Sequence, residues 1–123
     1  MKLDPEVILE INEYAAGFDP DIFNEILVEY INNSTLLVAE LDNAFQQENR
    51  ILLERTAHTL KGQGASVGAP AFAAICHKLE QVAKSGDLQD APDLINKVKS
   101  EYVEVKAALR SEIEHNYSVY RSE

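Results

Sequence analysis

The sequence predicts an all-α protein, an antiparallel up-down four-helix bundle with a short extra helix at its N-terminal end. Three observations carry that reading. Apolar residues recur at steps of three and four through four long segments, the period of a helix buried along one face. Short polar or Gly/Pro-bearing breaks separate these segments, and short connections make successive helices antiparallel neighbours. No segment alternates apolar and polar residues as a half-buried strand does.

Asp4-Pro5-Glu6 opens the short helix, expected over about residues 5–15: a capping carboxylate, proline at the first helical position, then an acid in the first turn. Val7, Ile8, Ile11 and Tyr14 form its apolar stripe and Gly17 ends it. A helix of roughly ten residues is marginal alone and must lie across something else. Phe18-Asp19-Pro20-Asp21 starts the second helix, about 20–46, with Phe18 placed to staple onto Phe23. Its seam is Phe23, Leu27, Tyr30, Ser34, Leu37, Leu41 and Ala44. The third helix spans about 48–67; Gly68 stops it and Pro70 restarts the chain as the fourth, 70–84, with Phe72, Ile75, Cys76, Leu79 and Val82 inward. The last helix, about 91–115, has the seam Leu94, Val98, Tyr102, Val105, Leu109 and Ile113, and a tail from His115 is expected to fray.

With 123 residues and 46% hydrophobic content, residues 1–123 form a single domain with a core of its own. No run reaches the ~20 apolar residues of a membrane span, and the opening MKLDPEVILE lacks a signal peptide's apolar core. Cys76 is the single cysteine, which rules out an internal disulfide and fits a reducing cytoplasm, the expected location. A formal charge of −10 argues against nucleic acid and anionic membrane as partners, since both attract clustered cations. Its distribution is uneven. Residues 50–84 set Arg50, Arg55, Lys61, Lys78 and Lys84 against Glu54 and Glu80, a net of +3, which leaves −13 for the rest. This basic island would attract an acidic group, although chance variation among solvated faces explains it equally well on charge alone.

His58 sits in that island. On a helix turning ~100° per residue, Arg55, Lys61, Gly62 and Ala65 lie within ~60° of it, while Leu53, Thr56, Leu60 and Val67 occupy the opposite face. Gly62 costs about 1 kcal/mol relative to alanine in a helix interior. Such a cost is accepted where another backbone or a bulky partner must come close, so Gly62 reads as steric clearance. A nucleophilic ring with cleared shoulders points to a group delivered by a second macromolecule.

At these residues the chain resembles a family. His58-x-Leu60-Lys61-Gly62, Gly68 ten residues after the histidine, and Cys76-x-x-Leu79-Glu80 are similar to the signature of histidine-containing phosphotransfer (HPt) domains. The likeness is dense over 50–84, looser through SGDLQDAPDLINKVKSEYVEV, and confined to helix length and pattern over 1–47. Gln63 departs from it, standing where many members carry a small hydroxyl residue. The resemblance implies a phosphorelay intermediate. His58 would accept a phosphoryl group from a receiver-domain aspartate, or from a kinase, and pass it to another receiver aspartate. The implied partners are response-regulator receiver domains and a sensor histidine kinase, with a monomer expected. The chain would be a phosphoryl carrier with no cofactor of its own, and Mg2+ would sit on the partner receiver. Lys61 and Arg55 would favour the phosphorylated product by charge-assisted contact.

Glu80 has two readings. It lies 22 residues after His58, and in the phosphotransfer domains of chemotaxis kinases, which this segment also resembles, a glutamate at that spacing bonds the histidine's other nitrogen. That would orient the ring and raise its basicity. Alternatively it is a surface carboxylate paired with Lys84 one turn on. Such kinases continue into dimerisation and ATP-binding domains, so the expectation is a relay protein, free-standing or excised from a hybrid kinase. The competing class is a non-catalytic helical adaptor that docks receiver or kinase domains without phosphotransfer. Docking is expected around His58 on apolar residues of the first helix, Val7, Ile8 and Ile11, and the start of the second.

Other chemistries fit poorly. A di-metal bundle site needs two Glu-x-x-His pairs, and only Glu112-x-x-His115 is present. Cys76 and His77 point about 100° apart on a helix and make no nucleophile–base pair, so Cys76 reads as a packing thiol and His77 as a packing or partly exposed residue. Glycines 62, 64 and 68 follow no strand and form no phosphate loop.

Overall fold

Leucine spacing does most of the work of building the bundle. Leu27, Leu41, Leu53, Leu60, Leu79 and Leu109 are each completely buried, with Phe72, Val98 and Val105 beside them. Each such side chain contributes about 1.5–3 kcal/mol by leaving water. The computed structural model describes residues 2–19 and 21–121, with side chains through residue 116. The helices are α1 (Pro5–Ala16), α2 (Ile22–Gln46), α3 (Arg50–Ser66), α4 (Pro70–Ser85) and α5 (Ala91–Arg121). No described residue lies in a strand.

Helices α2 to α5 form a ring in which each packs on its two chain or spatial neighbours: α2 on α3 and α5, α4 on α3 and α5. Cross-contacts show that the neighbours run antiparallel. The Arg50 guanidinium donates to the Ala83 carbonyl at one end of the α3–α4 pair, while Gly64 faces Phe72 at the other. Between α2 and α5, Asn116 meets Asn24, and Lys99 pairs with Asp42 two turns beyond Ser34. Ser34 lies in the buried seam of α2 because its hydroxyl is satisfied: it donates to the Tyr30 carbonyl at 2.6 Å and can accept from the Tyr102 hydroxyl at 2.7 Å.

The punctuation behaves as its chemistry requires. Asp4 caps α1 by accepting the Glu6 N–H at 2.9 Å, and Asn49 caps α3 by accepting the Leu52 N–H at 3.1 Å. Gly68 has φ +75°, the left-handed conformation glycine adopts without penalty. The Asp4 N–H donates to the Gly68 carbonyl at 2.6 Å, so the start of α1 is strapped to the α3–α4 turn. A Cβ at Gly68 would stand 2.9 Å from the Cβ of Val7.

Several expectations change. Phe18 does not staple onto Phe23: it is exposed and packs on Tyr14 with ring centroids 5.3 Å apart, because Phe23 is already buried in the core. Leu37, Leu94 and Ile113 are half-buried; Val38 and Ile95 take the deeper positions beside Leu37 and Leu94, and Ile31 joins Tyr30 in the core. Two contacting faces widen the buried stripe beyond a single a/d seam. The α5 helix does not end near His115 but continues to Arg121. Among the described residues, no helix is long and apolar enough to cross a membrane.

Candidate functional site

Leu53, Thr56, Ala57 and Leu60 fasten one face of α3 to the bundle, and that rotation alone turns His58 outward. Its side chain is 65% exposed. Close approach of α4 completes the setting. At Gly64 any Cβ would lie 2.8 Å from Phe72 Cδ1, so glycine is what lets the two helices pack tightly there. The opposing face of α4 then brings Glu80 under His58.

Glu80 is almost fully buried, and each of its oxygens is engaged. Oε2 lies 2.8 Å from His58 Nδ1, and Oε1 accepts from the Lys61 ammonium at 2.7 Å. His77 Nδ1 and Lys84 Nζ stand at the rim, 3.8 and 4.0 Å from the carboxylate. The hydrogen bond from Lys61 is the main reason the Glu80 carboxyl sits below its ordinary range; burial opposes this and the bond to His58 reinforces it. Glu80 therefore remains a carboxylate, able only to accept. It follows that His58 Nδ1 carries the hydrogen, and in the neutral ring Nε2 presents its lone pair to solvent. Glu80 is a buried partner of the ring in this geometry, and Lys84 is its most distant cation.

The other site residues divide. The Lys61 ammonium, expected to reach towards a phosphoryl group, is committed to Glu80 and stands 3.4 Å from His77 Nδ1. A carboxylate supplied by a neighbouring helix outcompetes solvent for it. Arg55 is exposed and has no side-chain polar partner among the described residues. A Cβ at Gly62 would meet nothing within 4 Å, so internal packing does not require this glycine. His77 is exposed beside the site, a position that its i,i+3 spacing to Glu80 could have revealed. Cys76 is buried, and burial pushes its thiol up to about 12, as suits a packing residue.

Beyond His58 along α3 lies a hollow of about 500 Å³ between α1, α2 and the end of α3. Of the first-helix residues expected at a docking surface, Ile11 lines this hollow, whereas Ile8 is buried and Val7 rests on Gly68.

The Hpt domain family model matches residues 25–114, and the chain belongs to that family. Among known proteins it is 24% identical, over 116 residues, to histidine-containing phosphotransfer protein 4 of Arabidopsis thaliana, covering 91% of this chain and 87% of the relative. The crystal structure of histidine-containing phosphotransfer protein B from Pseudomonas aeruginosa superposes with a TM-score of 0.86 at 29% identity, covering 93% of this chain and 96% of that one. A rice protein solved by X-ray crystallography shares the fold, with a TM-score of 0.84 at 16% identity over 97% of this chain and 84% of its own. The chain thus has a histidine phosphotransfer role in phosphorelays.

Proposed function

We propose that His58 is the residue that carries the phosphoryl group, received from a receiver-domain aspartate or a kinase and passed to a second receiver. One observation carries this reading: an exposed imidazole whose Nδ1 is held by a buried carboxylate, leaving Nε2 free on a face cleared by Gly62. In the transfer, the Nε2 lone pair attacks phosphorus in line and an N–P bond forms. The P–O bond to the partner's aspartate breaks, and the electron pair leaves with that carboxylate. The ring acquires positive charge, with Nδ1 still protonated, and Glu80 stands 2.8 Å away to stabilise it. Return transfer reverses each change.

Glu80 is here a positioning residue. It fixes the ring's tautomer, and Lys61 offsets the cost of holding that carboxylate out of water. Arg55, on the same exposed face and without a side-chain polar partner among the described residues, is the cation available to the phosphoryl oxygens. The partner supplies the aspartate and its magnesium ion. The site of action is the cytoplasm, with the chain monomeric.

The test is incubation with a phosphorylated receiver domain. Acid-labile phosphate should appear on this chain, and His58→Gln should abolish it. A receiver that binds but leaves no phosphate would show an adaptor instead.

A further inference from the structure

We propose that His77 is a positioning residue for phosphoryl transfer: on taking up a proton it replaces Lys61 at Glu80 Oε1 and releases the Lys61 ammonium to the phosphoryl group on His58. The inference rests on the reading of His58 given above and adds a control on it. Two side chains converge on one carboxylate oxygen. Lys61 crosses from α3 to donate to Glu80 Oε1 at 2.7 Å, and His77 Nδ1 lies 3.8 Å from the same oxygen and 3.4 Å from the Lys61 ammonium. Facing an ammonium, Nδ1 presents its lone pair, which places the hydrogen of the neutral ring on Nε2. A proton added at Nδ1 reverses this contact. Two cations then stand 3.4 Å apart and compete for one oxygen.

The competition is unequal. His77 precedes Glu80 by three residues on the same helix, so its ring stays beside the carboxylate. Lys61 has a second destination: it follows His58 by three residues, ~60° around α3, and its flexible stem can swing the ammonium to a phosphoryl group on that exposed ring. While His77 is neutral, the swing strands a nearly buried carboxylate without its main counter-charge. Once His77 is charged, Oε1 keeps a charged donor. Lys84 does not fill this role, since it approaches Oε2, the oxygen already bonded to His58, at 4.0 Å. The surroundings draw a charged ring inward. Its other side borders a hollow of about 460 Å³ between α4 and the start of α5, where Asp90 and Asp93 are offset by Lys78 and Lys97. Towards α3 it faces the Glu80 carboxylate and Lys61. With His77 neutral, the phosphoryl group meets Arg55; with His77 charged, it meets Lys61 as well. The share of phosphoryl groups held by this chain therefore rises as pH falls through the titration of His77.

Two measurements on the full chain test this. Side-chain NMR from about pH 5 to 8, the range in which histidines change charge, reads the three imidazole rings beside the Lys61 Cε and Nζ resonances. The Lys61 signals should move with the midpoint of His77 and lose that step in His77→Gln. Equilibrium transfer from one phosphorylated receiver domain then compares the parent with His77→Gln at each pH, so that titrations of the receiver and of His58 cancel in the ratio. Relative to the variant, the parent should hold about three- to five-fold more phosphoryl group at the acid end than at the alkaline end, the range of an exposed ion pair. His77→Lys, charged throughout, should keep the acid-end share at every pH, and in a Lys61→Gln background the ratio should be flat. A histidine that only packs would change the melting temperature and leave the ratio flat in the parent background as well. That result, Lys61 signals that ignore His77, or a ratio that changes equally without Lys61 would overturn the proposal. Lys61 signals that follow His77 in a chain that no receiver phosphorylates support the exchange at Glu80 and sink the phosphotransfer reading instead.

Discussion

Glu80→Gln is the most informative single change, because it keeps the shape of the buried side chain and alters only its hydrogen-bond logic. Glu80 faces two donors, His58 Nδ1–H at 2.8 Å and the Lys61 ammonium at 2.7 Å. A carboxylate accepts from both. An amide has one oxygen, so whichever donor it satisfies, its NH2 group confronts the other. With the oxygen turned to Lys61, the ring is driven to the tautomer that carries hydrogen on Nε2, the nitrogen that must attack. Exchanging a charge-assisted bond of about 1.5–3 kcal/mol for a neutral one of about 0.5–1.5 kcal/mol loses about 1–1.5 kcal/mol. That corresponds to roughly five- to ten-fold in transfer rate, with the low end favoured because His58 is 65% exposed. Rapid-quench transfer from a labelled phosphoreceiver measures it, with receiver affinity determined separately and expected to hold. The same variant has a pH signature. A carboxyl held below its ordinary value of 4.5 contributes stability that is fully present above that value and is lost as pH falls through its lower folded value. Below about pH 4.5, acid should therefore destabilise the parent more steeply than Glu80→Gln. A variant that transfers within about two-fold of the parent rate would refute the positioning role of Glu80.

Other substitutions test neighbouring parts of the account. Gly62→Gln should leave thermal stability equal or raise it, by up to about 1 kcal/mol of helix propensity, since nothing lies within 4 Å of the new Cβ; transfer from a receiver should fall sharply, and equal rates would show the glycine is not clearance. Lys61→Ala should slow transfer about ten-fold without abolishing it and should also lower melting temperature, because a buried carboxylate loses its main counter-charge; a folded variant as dead as His58→Gln would make the lysine part of the chemistry. Gly64→Ala should destabilise by about 1–3 kcal/mol in chemical denaturation, as its methyl meets the Phe72 ring at 2.8 Å, whereas an unchanged midpoint would mean α4 can shift freely.

What the sequence could reveal followed from chemistry local to one helix. Steps of three and four through Leu27, Leu41, Leu53, Leu60 and Leu109 identify buried faces, and the same periodicity turns His58 outward. Gly68 and Gly86 mark helix ends because both adopt positive φ, a preference the residue itself carries. What stayed hidden depended on which helix lies opposite. An angle of ~60° around α3 places Lys61 near His58, but only the packing of α4 shows that its ammonium is captured by Glu80. The pairing of Phe18 with Tyr14 was equally invisible, since a staple depends on whether the inner partner is already occupied by the core. The spacing of 22 residues left Glu80 with two readings, and its contact with the His58 ring is seen only with α3 and α4 packed antiparallel.

The central claim is that His58 Nε2 forms the bond to phosphorus. Uniformly 15N-labelled protein, phosphorylated by a phosphorylated receiver and held at alkaline pH, can be read by 15N–31P scalar coupling. The account predicts a single phosphoryl group coupled to Nε2 of His58, with Nδ1 retaining its hydrogen towards Glu80. Coupling to Nδ1, or phosphate on His77 or His115 in place of His58, would contradict it.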